Sequence, residues 1–227
     1  LERLRAEREQ TGTDTRKGRK SGKAKAARLP KVSGPERYKQ AAYAAYAVQR
    51  LHARATFGRV QQMKLVYLIP HALAQESKVY ARREAAGPLD PAIHKIEGLA
   101  KKNGWFTTRK IGQRYRYLPG AKIDEAVKFA KEKFGDKADR VDWLLEQFAR
   151  FDTERAELLA TTFAVWNDHL IDGHEPSEDE IVAGVHGWHP EKVAKFPPDR
   201  IAKCIQWMKD NSFVPTGIGP KTTEGMA

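Results

Sequence analysis

Histidines offer the widest chemical repertoire in this sequence. His169 and His174 stand beside Asp168, Asp172 and Glu175, and His186 and His189 are spaced three apart, which could place them on one helical turn. Imidazoles and carboxylates at such spacing are the residue types that hold divalent metals. Gly187 and Pro190 interrupt the second pair, however, and Gly173 marks a helix end inside the first. Neither pair completes a ligand spacing, so helix capping and solvated polarity account for these residues, and no catalytic metal is expected. Other chemistry finds little support. There is no Gly-rich phosphate loop ending in Lys-Ser or Lys-Thr, no nucleophile elbow and no Cys-His pairing with support. Lys131-Glu132-Lys133 sits in a predicted surface helix, where a solvated charged face explains it. The chain is expected to be non-catalytic and to carry no cofactor.

Cations offer a different chemistry. Arg109, Lys110, Arg114 and Arg116 cluster around Gly112 with no acid among them. Side chains of this kind meet phosphates, which provides affinity and register on DNA without reading sequence. Arg59, Lys101 and Lys102 would extend such a surface if they share its face, and so would Lys64. The competing reading is an exposed hairpin whose charges keep it soluble and block edge-to-edge strand pairing. A second candidate surface is the apolar loop around Gly87-Pro88, flanked by Arg82 and Arg83, which could dock a partner. Its preferred reading is structural, with Gly87 allowing a positive φ or close backbone approach and Pro88 and Pro91 stiffening the chain.

The elements that must position these groups follow from periodicity. Ser33-Gly34-Pro35 predicts a helix start, with Tyr38, Ala42, Tyr46 and Gln49 on one side. A second helix begins near Gly58 and is apolar around most of its circumference from Met63 to Ile69, as a buried central helix is. Pro70 should kink or end it. Ala85 to Pro91 reads as a loop. Asp90-Pro91 then caps a third helix running to Asn103-Gly104, with Ile93, Ile96 and Leu99 or Ala100 inward. Residues 105 to 118 alternate as a hairpin, Tyr115 and Tyr117 on one face and Arg114 and Arg116 on the other. Helices follow over Asp124 to Phe134, Asp139 to Phe151 and Thr153 to Leu170. A last helix, turn and helix spans Pro176 to Met208, broken at His186 to Pro190. The expected fold is mainly α with a small β-hairpin, as a winged helix-turn-helix-like lobe plus a helical lobe.

Composition sets the boundaries. The chain has 227 residues and a formal net charge of +12, but residues 1 to 31 alone contribute 11 basic and 4 acidic side chains. The remainder is only mildly basic, so the overall charge carries no nucleic-acid argument by itself. Residues 1 to 10 read as the end of an upstream helix, which makes the chain a fragment of something longer. Residues 11 to 33 read as a flexible basic linker, since almost nothing apolar is there to offset ordering entropy. Residues 34 to 120 then form the winged-helix-like lobe, 121 to 217 the helical lobe with a further helix-turn-helix-like unit at its end, and 218 to 227 a tail. Cys204 is the only cysteine, which excludes an internal disulfide and any zinc site needing two thiolates. With no apolar run of roughly 20 residues, no membrane partner is expected, and the compartment is taken as a reducing cytoplasm.

Three segments carry a family resemblance: Phe57 to Leu68, Arg83 to Asp90 and Gly104 to Phe106. In wording and layout they resemble the C-terminal extensions of type I restriction-modification specificity subunits. More distantly, Met63-Lys64-Leu65-Val66-Tyr67-Leu68 resembles the helix of Panacea-type antitoxin domains. The likeness spans roughly residues 36 to 215, and Leu1 to Glu9 resembles the end of a specificity subunit's helices. It implies an accessory domain tethered to a DNA-reading subunit, in a bacterial complex whose methyltransferase and endonuclease subunits carry the chemistry. Its expected partners are therefore DNA and those subunits. The alternative implied is an antitoxin-like or chaperone-like domain that holds another protein.

Overall fold

In a computed structural model, residues 32–76 and 81–224 are described. The predicted upstream helix end and all but the last two residues of the predicted linker lie outside them. Val32 is half-buried, and Ser33, the other of those two, is the N-cap of α1 (Gly34–Leu51), its hydroxyl accepting from the Glu36 amide at 3.3 Å. Every residue of α1 from Gln40 to Val48 is buried, not one stripe alone. Five alanines in that stretch let neighbouring helices approach on several sides. α2 (Arg59–Ala72) is the second central helix, and the chain leaves it just beyond Pro70. Proline there lacks the amide that would bond one turn back, and Ala74 follows at φ 49°.

Two antiparallel hairpins interrupt the helices. β1 (Arg82–Glu84) pairs with β2 (Gly87–Leu89), and β2 falls inside the Ala85 to Pro91 segment expected to be a loop. Asp90 then departs from the expected cap: its carboxylate accepts from the Ala92 amide at 2.7 Å and pairs with Arg37 at 2.8 Å, and α3 (Ile93–Lys102) starts three residues later. Gly104 turns the chain at φ 72° into β3 (Phe106–Ile111), which pairs with β4 (Arg114–Pro119) around Gly112.

The remaining helices are α4 (Ile123–Phe134), a 3-10 turn over Gly135–Lys137, α5 (Ala138–Arg150), α6 (Thr153–Ile171), α7 (Glu178–Trp188), α8 (Glu191–Lys195) and α9 (Pro198–Asp210). Asp152 caps α6, and Ser177 with Glu180 forms a capping box on α7. α7 runs through His186 and Gly187 to Trp188, so the expected break falls later, at His189-Pro190. The fold is mainly α with small hairpins. One hydrophobic core joins α1 and α2 to α4, α5 and α6, so packing does not divide the described residues at 120. No helix among the described residues is long and apolar enough to cross a membrane.

Residues 218–224 are not a loose tail. Asn167 accepts from the Gly217 amide and donates to the Ile218 carbonyl, Asp168 accepts from the Thr222 amide at 2.9 Å, and Thr223 bridges β1 in parallel.

Candidate nucleic-acid interface

The β3–β4 register fixes two faces of the hairpin, because alternate residues point to opposite sides. Phe106, Thr108, Tyr115 and Tyr117 share the inner face, and Lys110 continues it toward the tip. Phe106 and Tyr117 are buried, their rings edge to face at 5.6 Å, and Phe57 meets Tyr117 at 5.6 Å. The outer face carries Thr107, Arg109, Ile111, Arg114, Arg116 and Leu118. Tyr115 and Tyr117 thus oppose Arg114 and Arg116 as the alternation predicts.

Three of the eight candidate DNA contacts, Arg59, Arg116 and Lys64, are committed inside the molecule. Arg59 holds Glu97 with two hydrogen bonds, 3.1 and 2.7 Å, and lies 3.5 Å over the Tyr115 ring. Glu97 also accepts from the Tyr117 hydroxyl at 2.8 Å. Burial works against the Arg59 charge, yet the hydrogen bonds and negative charge of Glu97 outweigh it and leave the guanidinium above its usual pKa. Burial, with Glu97 adding to it, also pushes the Tyr117 hydroxyl up. Arg116 donates to the carbonyls of Arg54 and Ala55, both at 3.1 Å, and clamps the α1–α2 loop against β4. Arg59 and Arg116 are therefore structural.

The other five, Lys101, Lys102, Arg109, Lys110 and Arg114, are exposed, and none forms an ion pair among the described residues. Lys95 is exposed on α3 beside them. Between residues 91 and 122 the only acid is Glu97, and it is buried against Arg59 and Tyr117. What α3 and the hairpin present to solvent is therefore free of carboxylates. A groove of about 720 Å³ lies between β4 and the start of α2, but Asp152 and Glu154 line its far wall. Of the five cations only Arg114 also lines that groove; the other four lie outside it, on the hairpin and α3.

The candidate docking residues behave differently from expectation. Gly87 and Pro88 are buried, and Arg82 is half-buried next to Thr223. Gly87 has φ 89°, and a Cβ there would lie 2.6 Å from Thr161 Oγ1, so both structural reasons for a glycine hold. Arg83 donates to Thr222 Oγ1 at 3.0 Å and Asp168 at 3.2 Å, and stacks over Trp188 at 5.2 Å. Gly87, Pro88 and Arg83 of this loop are engaged with its own core.

Beneath this loop lies Lys64, offered by the sequence as a further cation for the DNA surface and placed instead in the core. Lys64 is fully buried and its Nζ donates to the Pro88 carbonyl at 2.7 Å. Burial first, then the neighbouring Lys192 charge, pushes its pKa down to about 7. Glu157, also buried, accepts from Lys192 at 2.5 Å and Lys195 at 2.8 Å. The available signal was a lysine in the middle of a helix otherwise apolar on all sides.

The histidines are spread among separate partners. His169 and His174 rings are 5.5 Å apart, His174 meets Glu180 at 3.0 Å, and His186 meets the Phe196 carbonyl at 2.8 Å. No three His, Cys, Asp or Glu side chains converge as a metal set among the described residues. A scan of family models finds none that matches the chain, and searches of curated proteins and of solved structures find no match either.

Proposed function

We propose that this is a non-catalytic accessory domain that grips nucleic-acid backbone through α3 and the β3–β4 hairpin, arranged as a winged-helix-like unit. The assembly it fits is a type I restriction-modification complex, where it would extend the cytoplasmic specificity subunit and work beside methyltransferase and endonuclease subunits. The observation that carries the DNA reading is the carboxylate-free surface of residues 91 to 122, whose single acid is withdrawn and neutralised. Lys101, Lys102, Arg109, Lys110 and Arg114 then meet phosphates without reading bases. In fluorescence anisotropy, two duplexes of unrelated sequence should bind with equal affinity. Lys101→Gln/Lys102→Gln should weaken both alike. Strong preference for one duplex, or binding untouched by that pair of changes, would count against the reading.

A second reading draws on Ile111 and Leu118, 56% and 45% exposed on the hairpin's outer face. Apolar side chains there suit an antitoxin-like or chaperone-like grip on a protein partner.

A further inference from the structure

Away from the hairpins, the first turns of α6 cross α9 over a surface cavity of about 210 Å³. Phe151, Leu158, Cys204 and Trp207 wall it, and Arg155, Arg200 and Lys203 stand around them. The Phe151 and Trp207 rings meet edge to face, centroids 5.8 Å apart, and make a corner that suits a flat ring. Burial holds the Cys204 thiol protonated, pushed up to about 12, so no thiolate opposes an anion at neutral pH.

The charges beside this corner are not balanced. Arg200 is held by Glu154, and the Asp152 carboxylate accepts from the Arg155 amide at 2.7 Å as a helix cap. Arg155 and Lys203 form no ion pair among the described residues, and the Arg155 guanidinium lies 4.7 Å over the Phe151 ring. A purely apolar ligand would leave these cations unused, and an inorganic anion would leave the walls unused. The volume is below the roughly 300 Å³ at which drug-sized pockets begin, which limits the ligand to one or two fused rings. We propose that the cavity binds a small aromatic carboxylate, its ring in the Phe151–Trp207 corner and its carboxylate toward Arg155 and Lys203. This site is independent of the hairpin and its proposed role.

Calorimetry on the whole chain tests it, with naphthalene-2-carboxylate and its uncharged counterpart 2-naphthylmethanol as probes. The carboxylate should bind saturably and about tenfold more tightly than the alcohol, as two exposed charge contacts allow. Arg155→Gln/Lys203→Gln should bring the two probes within about twofold of each other while leaving the alcohol unchanged. Cys204→Phe, which fills the cavity from its wall, should abolish both. Equal affinity for the two probes, no saturable binding at millimolar carboxylate, or a charge advantage that survives the double variant would each overturn the proposal. So would undiminished binding by a folded Cys204→Phe protein. If that variant does not fold, the exposed-cation pair decides alone.

Discussion

The two hairpins are built from similar residues and put them to opposite uses. β1–β2 turns its arginine and glycine inward: Arg83 is bound by Asp168 and Thr222, and Gly87 is pressed against Thr161 and Lys64. β3–β4 keeps its tyrosines inward and leaves Arg109 and Arg114 in solvent, without an ion pair among the described residues. An arginine in a hairpin therefore says little about function until its partners are known. Where the molecule satisfies the charge, the residue holds the fold; where it does not, the charge is open to a ligand.

The largest difference should appear when the same change is made in both. Arg83→Ala leaves the buried Asp168 carboxylate short of its cation and should cost about 3 kcal/mol of stability, by the behaviour of broken buried pairs. Arg114→Ala should stay within about 0.5 kcal/mol, as exposed positions do. Denaturant midpoints measure both, and comparable losses would erase the contrast. The glycines sharpen it next. Gly87→Ala meets Thr161 at a positive φ and should cost about 2 kcal/mol, while Gly112→Ala, with open space around it, should cost about 1 kcal/mol from backbone strain alone. Equal thermal shifts would mean that the β1–β2 turn is less tightly seated than its contacts indicate.

Lys64 adds a pH signature to the buried side of the comparison. With its pKa lowered to about 7 from 10.5, the unfolded chain holds the extra proton between those values. Stability from this group therefore rises with pH across that window, by up to about 1.4 kcal/mol per pH unit. Lys64→Met should remove that slope in urea melts at successive pH values, and an identical slope in both proteins would contradict the burial of its charge. The smallest effect distinguishes neighbours on one strand. Arg116→Ala breaks two hydrogen bonds to the α1–α2 loop and should cost about 1 kcal/mol, more than its neighbour Arg114.

Much of the outward hairpin was legible in the sequence, because alternation and Gly112 specify it locally. Helix starts at Ser33 and Ser177 were legible or nearly so for the same reason: a cap and its partner lie within three residues. The inward hairpin was not. Its strands have three residues each, too few to alternate, and its pairing depends on Thr223, α2 and α6, remote in sequence. Which cations were free was equally hidden, since Arg59 finds Glu97 38 positions away and Arg116 finds Ala55 61 positions away. Both looked like DNA contacts by type. Only the folded chain shows them spent. The wrap-around burial of α1 escaped notice because alanine contributes little apolar contrast to a periodicity.

The dependence of DNA affinity on salt tests the central claim most directly. Each phosphate neutralised contributes about 0.9 to the slope of log affinity against log salt. The account predicts that Arg109→Ala/Arg114→Ala lowers the whole chain's slope by about 1.8, with folding unchanged, because both side chains are exposed and form no ion pair among the described residues. Comparing the variant with the native chain cancels whatever residues 1 to 31 contribute. An unchanged slope in a folded variant would contradict the claim that the outward hairpin meets nucleic acid.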